Sequence, residues 1–213
     1  MTDAPAANCL TDEFDGTALD AHWSTLAGGL PTYNVAASRL LISDAPFATT
    51  PSTPDRSWIY TLDTDKGNQI AWAHSIGGRD FTLTADIGWS STVAEYTLGA
   101  VGVGDAQGTI AALAGALDGN NTKTGSAFGR LHLVGSPDLT YEDPQKRDPG
   151  TAKVQIRRTG GMASILIDGA LQATGALPDL ISNVLIVYVR FRNGAVLSDF
   201  GLLEVHRIQI CLP

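Results

Sequence analysis

Hydrophobic and polar residues alternate along much of this chain. In residues 81–89, Phe81, Leu83, Ala85, Ile87 and Trp89 share one side, and Thr82, Thr84 and Asp86 share the other. That period of two marks a strand with one dry and one wet face. Residues 153–157 repeat it, with Val154 and Ile156 inward and Lys153, Gln155 and Arg157 outward. Residues 164–168 lead into Gly169-Ala170 and then 171–174, a hairpin signal. Further on, Leu185, Val187, Val189 and Phe191 form one row of a strand, and Tyr188, Arg190 and Arg192 form the other. The same reading predicts strands at 39–43, 57–62, 69–73, 96–103, 130–134 and 204–210, and an acidic-aromatic strand starting at Asp12. The alanines and leucines of 109–117 suit a helix, but Gly108 and Asp118-Gly-Asn-Asn121 on either side favour a strand between turns. The Pro-containing stretches 46–54 and 136–150 read as surface loops. Roughly a dozen short strands with turns between them predict an all-β fold, a two-sheet antiparallel jelly-roll sandwich. No break in composition divides residues 1–213, so one domain is expected.

Composition narrows the function. The chain has 213 residues, is 44 % hydrophobic and only 17 % charged, and carries a formal charge of −8. An acidic surface repels phosphate backbones and anionic membranes, so neither nucleic acid nor a membrane is an expected partner. The longest apolar runs, 109–117 and 184–189, fall well short of the ~20 residues of a spanning helix. The polar opening residues show no secretory signal, lacking a basic start and an apolar stretch. The two cysteines, Cys9 and Cys211, lie near opposite ends. They are either two free thiols or a bridge between paired first and last strands. Their placement favours the bridge, which implies an oxidising final location, extracellular or on a virion surface.

Three segments carry a family resemblance. Phe14-Asp-Gly-Thr-Ala-Leu-Asp-Ala-His-Trp23 is similar to the entry of laminarinase-like and lectin-like jelly rolls. Gly78-Arg-Asp-Phe-Thr-Leu-Thr-Ala-Asp-Ile87 resembles a middle strand of the same group. Residues 152–169 look like its pair of strands joined by a Gly turn and ending in Asp-Gly. In this order the segments resemble the concanavalin A-like lectin/glucanase superfamily. The resemblance implies a jelly roll that binds or cleaves glycans on the concave face of one sheet, in some members with calcium.

The catalytic part of that resemblance is missing. A retaining glycosidase needs two carboxyl groups about 5–5.5 Å apart. The laminarinase-like family supplies them from one strand as Glu-x-Asp-x-Glu or Glu-x-Asp-x-x-Glu, since alternate residues share a face. Only four glutamates are present: Glu13, Glu95, Glu142 and Glu204. Glu13-Phe-Asp15 begins the spacing, and Gly16, Thr17 and Ala18 break it. Asp86 stands alone in its strand. The four histidines, His22, His74, His132 and His206, lack metal-ligand spacing. Gly-x-Ser-x-Gly, Walker and Rossmann patterns are all absent. The chain is therefore not expected to be an enzyme; a divergent glycosidase or lyase using an Asp pair assembled by the fold is an alternative.

Sugars are held by aromatic faces and planar polar side chains. The candidates are Tyr188, Arg190 and Arg192 on one strand and Gln155 and Arg157 on another. Both sets are outward and basic, suited to a solvated face, an anionic glycan or an acidic neighbour. Trp58 and Trp72 are either core or sugar platforms; Trp89 faces the core by parity, and Trp23 pins the N-terminal loop. Asp118 and Asn120, and Asp63 and Asp65, offer oxygens to Ca²⁺, although ordinary polar turns explain them equally well. The leading expectation is a non-catalytic, surface-displayed module that binds a glycan or polysaccharide, decorates an assembly, or does both. A phage head-decoration or tail-associated protein fits, with capsid or tail proteins or further copies of itself as partners. A secreted carbohydrate-binding module is the other non-catalytic reading.

Overall fold

The computed structural model describes residues 8–21, 23–26, 32–43, 68–74, 79–89, 98–105, 110–117, 126–131, 139–144, 150–177, 185–192 and 202–213. These residues form strands and connections, with no helix among them. The strands are β1 (Asn8–Asp12), β2 (Trp23–Leu26), β3 (Thr32–Val35), β4 (Leu40–Ser43), β5 (Asn68–His74), β6 (Phe81–Trp89), β7 (Leu98–Asp105), β8 (Ile110–Leu117), β9 (Ser126–Leu131), β10 (Leu139–Glu142), β11 (Gly150–Thr159), β12 (Met162–Ile167), β13 (Ala170–Ala176), β14 (Leu185–Arg192) and β15 (Leu202–Leu212). One sheet has eight strands, in the order β13-β12-β11-β6-β15-β4-β3, with β1 also paired to β15. The other has seven, in the order β10-β9-β8-β7-β14-β5-β2. The pairings are antiparallel throughout, as in a jelly roll.

The two sheets stack on the rows that alternation marked as apolar. From the eight-stranded sheet, Phe81, Leu83, Ala85, Ile87 and Trp89 of β6 are all buried, with Val154 and Ile156 of β11 and Val205, Ile208 and Ile210 of β15 beside them. The seven-stranded sheet answers with smaller residues: Val101 and Val103 of β7, Ala112 and Ala114 of β8, and Ala127 and Leu131 of β9. Small inward residues let the sheets approach. A Cβ added to Gly129 on β9 would lie 2.6 Å from Cγ2 of Ile165 on β12.

Two tight hairpins close one side of the larger sheet. Gly160 and Gly161 (φ 57° and 78°) join β11 to β12, and Asp168 and Gly169 (φ 52° and 80°) join β12 to β13. Positive φ at both central residues is the turn whose twist matches the flanking strands, and glycine adopts it without strain.

β1 lies along the second half of β15, while β4 lies along its first half. Cys9 and Cys211 are directly opposite and form a disulfide. Just beyond β1, the Asp12 carboxylate accepts the Phe14 N–H at 2.8 Å and the Trp23 indole N–H at 2.6 Å. The Phe14 and Trp23 rings sit 6.0 Å apart, both in the core. The N-terminal motif is thus a structural clasp, and Trp23 pins its loop.

Several boundaries differ from those the pattern predicts. The first strand ends at Asp12, where it was expected to begin, because Phe14 adopts φ 52° and turns the chain. Residues 139–142, expected within a loop, pair with β9 as the edge strand β10. β9 starts at Ser126, four residues before the predicted strand, its alternation muted by Ala127 and Gly129. Residues 110–117 form a strand, as the flanking turns suggest; pairing on both sides overrides the helical leaning of alanine. The strand expected at 57–62 lies outside the described residues.

Candidate functional site

Each sheet has an outer face, and the two differ in kind. On the eight-stranded sheet many outward residues are polar, and several of them bond to one another. The Gln155 amide donates to Oγ1 of Thr84 at 3.1 Å, and the Gln209 amide donates to Oγ1 of Thr11 at 2.9 Å. Register places Asp86 between Lys153 and Arg207, so opposite charges alternate across three strands. Arg39 pairs with Glu204 at 3.1 Å, His206 approaches the same carboxylate at 3.5 Å, and Arg207 lies 3.7 Å from Glu13. Arg157 is exposed on this face, opposite Thr82 and Ser164. Opposite charges alternate on this surface, while Nε of Arg39 and Nε of Arg207 are buried without a hydrogen-bond partner among the described residues.

The outer face of the seven-stranded sheet is built differently. Direct pairing across the strands puts Thr140, Arg130, Leu113, Gly102, Tyr188, Ala71 and Ser24 in one row. The next row holds Glu142, Phe128, Gly115, Ala100, Arg190, Gln69 and Leu26. A third row holds Ser126, Leu117, Leu98 and Arg192. These rows alternate with Val101, Val103, Ala114 and Leu131, which face the core, so they lie on the outer side. Beside Tyr188 and Arg190, β7 offers only Gly102 and Ala100, and β8 adds Gly115; all three are buried. Register sets these small residues between the positions of Tyr188 and Arg190 on β14 and of Phe128 and Arg130 on β9; Ser126 and Phe128 are buried as well.

The described positions of this face include charged residue types of both signs. Among its described outward positions are three arginines, Arg130, Arg190 and Arg192, and one carboxylate, Glu142. Glu142 accepts a hydrogen bond from Ser126 Oγ at 3.0 Å.

The structure thus separates the two sets of candidates. Tyr188, Arg190 and Arg192 lie on the outer side of the seven-stranded sheet, whereas Gln155 and Arg157 lie on the outer side of the other sheet. They cannot form one site, because the core lies between them. Trp72 pairs in register with Trp23 and Val187, on the row facing the core. Trp58, Asp63, Asp65, Asp118 and Asn120 lie outside the described residues. Among the described residues, no three His, Cys, Asp or Glu side chains converge as a metal site would require. Sequence reasoning missed Arg130, since its strand partners are distant in the chain and only sheet order brings it opposite Tyr188's row.

No family model matches this chain, and no curated protein matches it by sequence. Solved structures do match. The catalytic domain of an endo-1,3-β-glucanase (laminarinase) from Thermotoga petrophila RKU-1 superposes with a TM-score of 0.65 at 10 % identity, covering 96 % of this chain and 97 % of that one. A non-specific endo-β-1,3(4)-glucanase from family GH16 gives 0.67 at 11 % identity, covering 99 % and 96 %. The CBM2 module of the evolved Dit of Lactobacillus casei BL23 phage J-1 gives 0.58 at 11 % identity, covering 97 % and 96 %. Together with the two antiparallel sheets and their order, these likenesses identify the fold as a concanavalin A-like jelly roll.

Proposed function

We propose that this protein is a non-catalytic glycan-binding sandwich, displayed outside the cell or on a virion, whose binding face is the outer side of the seven-stranded sheet. The observation that carries this reading is the register that sets the small residues Ala100, Gly102 and Gly115 between the positions of Tyr188 and Arg190 on β14 and of Phe128 and Arg130 on β9. Aromatic and guanidinium residue types are the ones that stack on sugar rings and hydrogen-bond their hydroxyls. The Cys9–Cys211 disulfide supports a place in an oxidising environment. The likeness to a phage Dit module supports a virion setting, with tail or capsid proteins as neighbours.

The test is binding of purified protein to a broad glycan and polysaccharide array, with and without Ca²⁺, together with assay of the same polysaccharides for released sugar. The expected result is a reproducible hit, insensitive to chelator, weakened at least tenfold by Tyr188→Ala and unaccompanied by sugar release. Sugar release abolished by Glu142→Gln would overturn the non-catalytic reading. A blank from folded protein would overturn glycan binding and leave a structural role in an assembly.

A further inference from the structure

We propose that β1 is an exchangeable arm latched by the disulfide. Once the Cys9–Cys211 bond is reduced, β1 of one copy replaces β1 on β15 of a second copy, giving a strand-swapped dimer. This stands apart from the glycan-binding reading. Among the described residues β1 pairs with β15 alone. None of its five side chains belongs to the core. Even Leu10, opposite the buried Ile210, is 36 % exposed. The core side chains along this edge, Ile208, Ile210 and Leu212, come from β15, so β1 can leave without opening the core. A five-residue edge ladder, the Gln209–Thr11 hydrogen bond and the Asp12 clasp hold β1 in place, and the disulfide ties it covalently. Cys9 is exposed, so a reductant reaches the bond.

The hinge is short and strained. Glu13 alone separates β1 from Phe14, which is buried in the core and holds φ at 52°. A non-glycine residue in left-handed backbone is strained, and a short strained hinge favours exchange between copies. Opening it gives up one local contact, the Phe14 N–H to the Asp12 carboxylate. The other contacts of β1 are remade between copies in the same register: Thr11 with Gln209, Asp12 with the Trp23 indole, and Cys9 opposite Cys211. A second copy is therefore the occupant, because β1 is the segment whose fit to this edge the fold already shows. The vacated edge of β15 offers N–H and C=O groups that an incoming strand pairs. The redox step is thiol–disulfide exchange. A dithiol supplies two electrons and two protons, leaves as its own disulfide and frees both cysteine thiols. A disulfide oxidant takes the electrons and protons back and seals β1 where it then lies, on its own β15 or on that of the other copy.

The experiment mixes two full-length variants, Cys9→Ser and Cys211→Ser, one of them carrying a size tag. Neither can close its own bond, but exchange sets Cys9 of one chain opposite Cys211 of the other. The mixture is held in dithiothreitol, moved into oxidised glutathione and run on a non-reducing gel, with thermal melting to confirm that each variant is folded. The mixed dimer is expected to exceed the two like-chain dimers at least fivefold. Adding Leu10→Pro to the Cys211→Ser chain tests the ladder. The 4.0 Å Cα separation of Cys9 and Cys211 marks a non-hydrogen-bonded pair, so the ladder bonds fall on Leu10 and Ile210. Proline there removes a donor and should lower the mixed dimer at least fivefold. Tagged and untagged parent chains, mixed under reduction and then reoxidised, should form covalent mixed dimers, and the same chains never reduced should not. Mixed dimers no more abundant than like-chain dimers would reduce the crosslink to random collision and overturn the exchange, as would their absence from folded protein. A full yield with Leu10→Pro would overturn pairing through β1. Equal crosslinking of the never-reduced parent would overturn the disulfide as the latch.

Discussion

Cys9 and Cys211 stand directly opposite each other on β1 and β15, 202 residues apart in sequence and 4.0 Å apart between Cα atoms. The bond closes nearly the whole chain into one loop. In the loop-entropy model such a crosslink contributes about 5 kcal/mol by restricting the unfolded state. Cys9 is exposed and Cys211 half-buried, so replacing them removes little packing. Cys9→Ser/Cys211→Ser should therefore fold, with urea stability lowered by about 2–5 kcal/mol. Added reductant should shift the parent protein by the same amount and leave the double variant unchanged. A reductant-insensitive midpoint in the parent would show that the strand pairing, without the bond, already holds the ends together.

The Asp12 clasp makes a second prediction. Its carboxylate takes two donors, the Phe14 amide and the Trp23 indole, and Trp23 is buried. Asp12→Ala leaves the indole N–H without that acceptor, at a cost of about 2–3 kcal/mol. Asn at the same position keeps one acceptor but turns its amide hydrogens toward a donor, so it should not restore full stability. Equilibrium denaturation of the two variants checks this; a change below about 0.5 kcal/mol for both would remove the clasp from the list of stabilising features.

Gly150 and Trp89 face each other across β11 and β6, and a Cβ on Gly150 would overlap the indole. Gly150→Ala should cost about 1–3 kcal/mol by overpacking. Trp89→Phe opens space at the same point, so the double variant should be more stable than the sum of the two single losses predicts. A double-mutant cycle in urea measures that coupling, and strict additivity would show that the indole moves aside without cost.

The two outer faces should also respond differently. Gln155→Ala and Arg157→Ala change a solvated, internally bonded surface and should alter stability by no more than about 0.5 kcal/mol. They should leave glycan affinity within twofold of the parent, whereas Tyr188→Ala and Arg190→Gln reduce it. Loss of binding in Arg157→Ala would move the site to the eight-stranded sheet.

The sequence by itself determined the fold class and much of its detail. The alternation of Phe81 to Trp89 placed every inward residue of β6 correctly, because the side-chain period of a strand is two and one face must leave water. The hairpin after residue 167, expected at Gly169-Ala170 and found one residue earlier at Asp168-Gly169, and the meeting of Cys9 with Cys211 were legible for similarly local reasons: turn chemistry in the first case, placement at both ends in the second. Tertiary structure decided what local pattern cannot encode. The pattern made Gln155 and Tyr188 look alike, both outward on polar rows, and only sheet membership puts them on opposite sides of the core. For residues 110–117 the flanking turns already favoured a strand, and tertiary structure supplied the hydrogen-bond partners, β7 and β9, that hold it against the helical leaning of alanine. Arg130 joined the row of Tyr188 through strand order alone, since register across β9, β8, β7 and β14 is fixed by non-local pairing and by which residues must face the core.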